Sequence, residues 1–188
     1  MMALPFDTKG FFLSFLIALS LIVSGPSKAE NPNTVVDWGD LLPANLYSFI
    51  PETGITSQMW LDEDFQKKLK DSERITRPEL EGARVVLPGY MVPLDYEGDA
   101  VKSFLLVPNA GQCIHVPPPP PNQTIIVHFA KTTPMRTYSD PIIVRGLIRV
   151  VAGQTDYAET GYEIQAQDIV EFDFDRLETM VNDLGESD

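Results

Sequence analysis

Cys113, His115 and the five prolines Pro117 to Pro121 form the densest chemistry in the chain, and Asn122-Gln123 close the string. Cys113 is the single cysteine, and His115 is one of two histidines. In an extended segment residues two apart face the same way. A thiol and an imidazole would therefore project together. That donor pair suits zinc, which takes sulfur and imidazole nitrogen tetrahedrally, or copper(I), which favours soft thiolate. The other histidine, His128, lies in the apolar run Thr124 to Phe129. Alternation there sets Ile125, Val127 and Phe129 against Ile126 and His128, so His128 is the candidate third ligand. Asp95, Glu97 and Asp99 offer carboxylates from one turn. The same residues also read without any ligand. Cysteine often behaves as a small buried hydrophobe, His115 can bond a carbonyl beside the prolines, and His128 can be structural.

A thiol enzyme is the weaker chemical reading. A nucleophilic cysteine needs hydrogen-bond contact with its base, and cysteine enzymes mostly draw that base from a distant histidine, which makes His128 the better partner. No phosphate-cradling glycine loop, serine-hydrolase elbow or haem attachment pair occurs. The expectation is a non-enzymatic protein.

Five prolines favour a stiff polyproline II rod with no N–H groups to donate. Such rods commonly serve as linkers or as ligands for aromatic grooves. This one sits between two β segments, where a linker has no purpose. It reads as a rigid arm holding Cys113 and His115, with Asn122-Gln123 turning the chain into the next strand. Docking of the arm onto a partner is the alternative.

Three regions must position this string. Residues 30–78 read as mostly helical, with Asp37 capping a turn through Trp38 to Leu42 and a helix over Ser57 to Asp71 carrying Leu61, Phe65 and Leu69 on one stripe. Residues 82–166 read as β, with strands at Arg84–Leu94, Val101–Val107, Cys113–Val116, Thr124–Phe129, Ile142–Ala152 and Tyr162–Ala166. Gly89 and Gly146 interrupt two of them, as bulges or bends do. Short strands with glycine-marked bends predict a small, curved, antiparallel OB-like barrel, with an open sandwich as the alternative. Residues 170–185 read as a terminal helix through Leu177, Met180, Val181 and Leu184, stopped by Gly185. The expected class is α+β, in one domain over residues 30–188.

The first 29 residues read as an export signal. An apolar run from Phe11 to Val23 is followed by Gly25-Pro26 and the small-residue site Ser27-Lys28-Ala29. The run is short for a membrane span, and no cysteine follows it closely for lipid attachment. The expectation is a periplasmic protein with no membrane insertion after cleavage. The full chain carries 14 basic and 27 acidic side chains, a net charge of −13. Loss of Asp7, Lys9 and Lys28 with the signal leaves 12 and 26, a balance of −14. Such a surface disfavours nucleic acid. A lone cysteine in an oxidising compartment is buried, coordinated, reactive or paired between chains.

The segments Leu87-Pro88-Gly89-Tyr90-Met91-Val92-Pro93-Leu94, Phe104-Leu105-Leu106-Val107-Pro108 and Cys113 to Gln123 closely resemble a family of exported bacterial proteins, domain of unknown function 3299. Trp38-Gly39-Asp40-Leu41-Leu42-Pro43 resembles its N-terminal part. The resemblance covers most of the chain beyond the signal. It implies a periplasmic or lipid-anchored protein whose gene lies near those of export-type ABC transporter components and metal-responsive envelope proteins, which makes envelope transporter components the expected partners. It carries over no catalytic residues.

Overall fold

The computed structural model describes residues 34–112 and 118–185. The signal segment, Cys113, His115 and Pro117 lie outside the described residues, as does the strand expected at Cys113–Val116.

Five long strands close on one another: β2 (Arg84–Glu97), β3 (Ala100–Val107), β4 (Ile125–Pro134), β5 (Ile142–Arg149) and β8 (Tyr162–Glu171). Around the circle the order is β2, β3, β4, β8, β5 and back to β2. This is the Greek-key circuit of an OB-like barrel. Antiparallel pairing holds at every joint but one, for β4 and β8 run parallel, with Ile125 beside Tyr162 and Phe129 beside Ala166. The strand β1 (Thr34–Val35) adds to β2 in parallel.

Closure depends on β2 serving two neighbours. Arg84 to Gly89 pair with β5, and from Tyr90 onward the strand pairs with β3. Gly89 marks the exchange. A Cβ there would stand 2.9 Å from both the Leu106 side chain and the Val107 carbonyl oxygen. Gly146 marks the other crowded place, where the β5–β8 register slips and a Cβ would stand 2.3 Å from the Gln165 carbonyl oxygen. Both glycines let one backbone press on another, which is how a short sheet bends sharply enough to close.

Alternation fills the interior. Val85, Leu87 and Met91 of β2 face Phe104, Leu106, Ile125, Val127, Val144, Ile148 and Ile164, all essentially without solvent contact. Tyr162 lies among them with its polar tip satisfied. Its hydroxyl donates to the Leu41 carbonyl at 2.6 Å and accepts from the Arg77 amide at 2.8 Å. Burial pushes its pKa up, and the contact with Arg77 only partly offsets that.

The N-terminal part is less helical than its sequence implies. Its one α-helix among the described residues is α1 (Glu63–Ser72), with short 3-10 turns at Trp38–Leu41, Met59–Leu61 and Pro78–Leu80. Asp62 explains the late start of α1, since its Oδ1 accepts from the Asp64 and Phe65 amides at 2.9 and 3.1 Å. That cap leaves Leu61 outside the helix, 83% exposed, so the expected stripe is reduced to Phe65 and Leu69. Phe65 meets Phe49 edge-on, and Lys68 sits 4.4 Å over the Phe49 ring. The Asp37 turn forms as its spacing predicts, with Asp37 Oδ1 accepting from Gly39 and Asp40 Oδ2 accepting from Asp37.

At the other end, β8 runs on to Glu171, which delays α2 (Phe174–Gly185). The helix packs Met180 and Leu184 on Val86 and Ile143. These two strand residues alternate with interior ones, so α2 covers the outer wall of β2 and β5. No helix among the described residues is long and apolar enough to cross a membrane.

Candidate functional site

The connection from β3 to β4 carries the proline arm, and its described half is bound to four separate parts of the chain. Pro118 is exposed, Pro119 is buried, and Pro120 and Pro121 are half-buried. A 3-10 turn over Pro121–Gln123 follows. Proline carbonyls have no amides of their own to pair with, so outside donors come to them. The Thr124 hydroxyl lies 3.2 Å from the Pro119 oxygen and 3.0 Å from the Pro120 oxygen. The Gly161 amide donates to Pro121 at 2.7 Å.

Asn122 is the peg. It is fully buried, and its Nδ2 donates to the Ser72 and Ile75 carbonyls at 3.0 and 3.1 Å. Its backbone amide donates to Glu73 at 3.0 Å. One amide side chain thus ties the arm to the carbonyls freed where α1 ends, groups that a helix C-terminus leaves without intrahelical partners. Tyr47 stands beside it. Burial raises the Tyr47 pKa, the Asn122 side chain opposes that, and the Glu73 carboxylate adds to it. The Asn122 Oδ1 itself is buried without a hydrogen bond of good geometry. Gln123 reaches the other way, donating from Nε2 to the Trp38 carbonyl at 2.9 Å. Trp38 is held in turn by its Nε1 donating to the Pro88 carbonyl at 2.8 Å. The two residues that read from sequence as a simple turn therefore clamp the arm to the N-terminal part. Thr124, Ser72 and Gly161 were not singled out by sequence, because hydroxyl and backbone contacts across such separations leave no local pattern.

His128 occupies the fourth position of β4. Ile125 and Val127 point inward, so His128 faces outward, half-buried, in register with Ser103 on one side and Gln165 on the other. The carboxylates Asp95, Glu97 and Asp99 sit at the β2–β3 turn, where Gly98 adopts φ +58°. That turn lies at the start of β3 and the arm departs from its end, eight residues later, about 25 Å along the strand. Among the described residues no three His, Cys, Asp or Glu side chains converge as metal ligands. Cys113 and His115 fall outside that comparison.

Beyond β5 the chain forms a small hairpin, β6 (Gly153–Gln154) with β7 (Glu159–Thr160), absent from the sequence expectation. Its Ala158 packs on the outer barrel wall against Val92, Leu105 and Val107. In OB folds the outer face of the second and third strands commonly takes ligands. Here the chain's own hairpin rests on that face.

These features define a closed OB-like barrel with a covered strand face and a clamped proline arm. The chain belongs to the DUF3299 family: the model of that family, described as a protein of unknown function, matches residues 38–171. A crystal structure of a DUF3299 family protein from Pseudomonas aeruginosa PAO1 is similar, with 30% sequence identity and a TM-score of 0.56, covering 76% of this chain and 97% of that one. No curated relative matches the chain.

Proposed function

We propose that this DUF3299 protein is exported to the periplasm and acts there as a non-enzymatic binding protein, with Cys113 and His115 holding a zinc or copper(I) ion in the service of an envelope transporter. The observation that carries this reading is the clamping of the arm. Pro119 is buried, and the carbonyls of Pro119, Pro120 and Pro121 all accept hydrogen bonds from the fold. A ligand pair mounted ahead of such a support loses little freedom on capturing an ion, and preorganisation of that kind raises affinity. His128 is the third ligand in this reading, half-buried on the outward side of β4. The export signal and the family resemblance support the periplasmic address and the transporter connection.

The arm as a ligand for a foreign proline-reading domain fits less well. Such domains grip a rod through its exposed rings and carbonyls, and of the arm's described prolines only Pro118 is exposed. A thiol enzyme is the least favoured reading, since no recognisable catalytic motif accompanies Cys113 in the sequence.

The test is metal binding by the protein purified without added metal, with Cys113→Ser and His115→Ala beside it. One equivalent of zinc or copper(I) held at sub-micromolar free ion, lost in both variants, is the expected result. A wild-type protein that holds neither ion under those conditions removes the metal. If binding of a partner then survives both variants and is lost on substitution of Pro117 to Pro121, the arm is a docking element instead.

A further inference from the structure

Between the hairpin, the end of α1 and the proline arm lies an open groove of about 440 Å³. Ligand sites commonly fall in this size range and combine an apolar lining with a few aimed polar groups. Pro121, Val150 and Ala152 supply the apolar lining. The polar groups are unusual in how they are used. Arg74 binds both oxygens of Glu159 through one nitrogen, Nη2, at 2.8 and 2.6 Å, so its Nε and Nη1 take no part in that pair. Gln154 commits its Nε2 to the Thr155 carbonyl, which leaves its Oε1 as an acceptor outside that bond. Thr160 is 2% exposed, and its hydroxyl has no hydrogen-bond partner. An orphaned buried hydroxyl costs stability unless something supplies its bond.

We infer that this groove receives an extended peptide segment of a partner protein, laid along the run from Val150 into β6. Three observations select a peptide. The groove offers both donors and acceptors around a charge pair that cancels itself, as suits a neutral chain of alternating N–H and C=O groups. The strand β6 has β7 as its only neighbour among the described residues, and an unpaired strand edge is the usual seat of strand addition. The lining contains no aromatic side chain, so it lacks the stacking platforms that single-stranded nucleic acids use, and the net charge of −13 repels them. Glycines let the walls of the groove press closely on their own neighbours. A Cβ at Gly153 would stand 2.6 Å from Thr160 Oγ1, and one at Gly161 would stand 2.8 Å from Thr76 Cγ2. Small alternating side chains suit the shallow apolar lining. This site is independent of the metal reading.

The experiment is an NMR titration of the purified protein with the blocked peptide acetyl-Ala-Val-Ala-Val-Ala-amide at millimolar concentration. Saturable shifts are expected at the amides of Gly153, Gln154 and Gly161. An analogue N-methylated at alternate amides should produce none. Thr160→Val keeps the side-chain volume and should weaken binding about tenfold, while leaving the thermal midpoint of the free protein no lower, since the hydroxyl makes no bond there. Ala152→Trp, at an exposed position, should abolish binding by filling the groove. Cys113→Ser should change nothing. Absence of saturable shifts at these amides overturns the inference, as does unchanged affinity in Thr160→Val. So does a response to diacetylchitobiose with none to the peptide, which would make the groove a saccharide site.

Discussion

The proline arm and the β6–β7 hairpin are neighbouring connections, joined by one bond from the Gly161 amide to the Pro121 carbonyl, yet they are held in opposite ways. The arm lacks N–H groups along its prolines and is fixed by side chains and amides from elsewhere: Asn122 into the end of α1, Gln123 onto Trp38, Thr124 back onto the rod. The hairpin has its own ladder, but only two residue pairs of it, and its tip residue Tyr157 is half exposed. A two-stranded hairpin is marginal alone, and this one relies on Ala158 seated against the barrel wall. Rigidity here follows where donors come from rather than how regular the backbone is. A groove with one wall of each kind combines a fixed surface with a yielding one.

Removing the peg breaks the contrast most strongly. Asn122→Ala deletes bonds to the Ser72 and Ile75 carbonyls and leaves a void, so a loss of about 3 kcal/mol is expected in urea unfolding. A loss below about 1 kcal/mol would mean that the bonds of Gln123, Thr124 and Gly161 hold the arm without the peg. Tyr162→Phe, at the exit of the hairpin, strands the Leu41 carbonyl and the Arg77 amide and should cost about 2 kcal/mol. It also bears on pH. A phenol whose folded pKa is raised contributes stability that is complete below its unfolded value, 10.0, and is lost as pH climbs through the folded one. The wild-type urea midpoint should therefore fall above pH 10, and Tyr162→Phe should flatten that fall, with Tyr47 supplying what remains. On the hairpin, Thr155→Ala removes the acceptor for the Tyr157 and Ala158 amides, and about 0.5–1 kcal/mol is expected, with faster hydrogen exchange confined to residues 153–160. Smallest of all is Arg74→Ala. Its ion pair is nearly half exposed on both sides, so less than about 0.5 kcal/mol should be lost in stability.

Much of the barrel was legible because its signals are local. Alternation in β2 to β5 marks the buried face, and Gly89 and Gly146 announce the crowded bends that closure requires. The late start of α1 hangs on Asp62, a cap that competes with the apolar spacing of Leu61, Phe65 and Leu69 and wins. The ends of β8 and α2 shifted for a related reason: strand pairing with β5 continues through Val170 and Glu171, where the helical pattern of the sequence already begins. The hairpin was missed since two-residue strands have no period to read. The parallel β4–β8 joint cannot be inferred from either strand alone. At the arm, the stiffness was legible from five prolines and the means of holding it was not, because Asn122 finds its partners fifty residues upstream.

That separation has a bearing on the order of assembly. The carbonyls that receive Asn122 exist in the right place only after α1 has wound and its last turn has met the barrel. Contacts spanning long stretches of chain form late, since the loop between them must close first. The arm is thus a finishing step, and whatever is mounted ahead of it acquires its geometry only once the remainder of the molecule is complete.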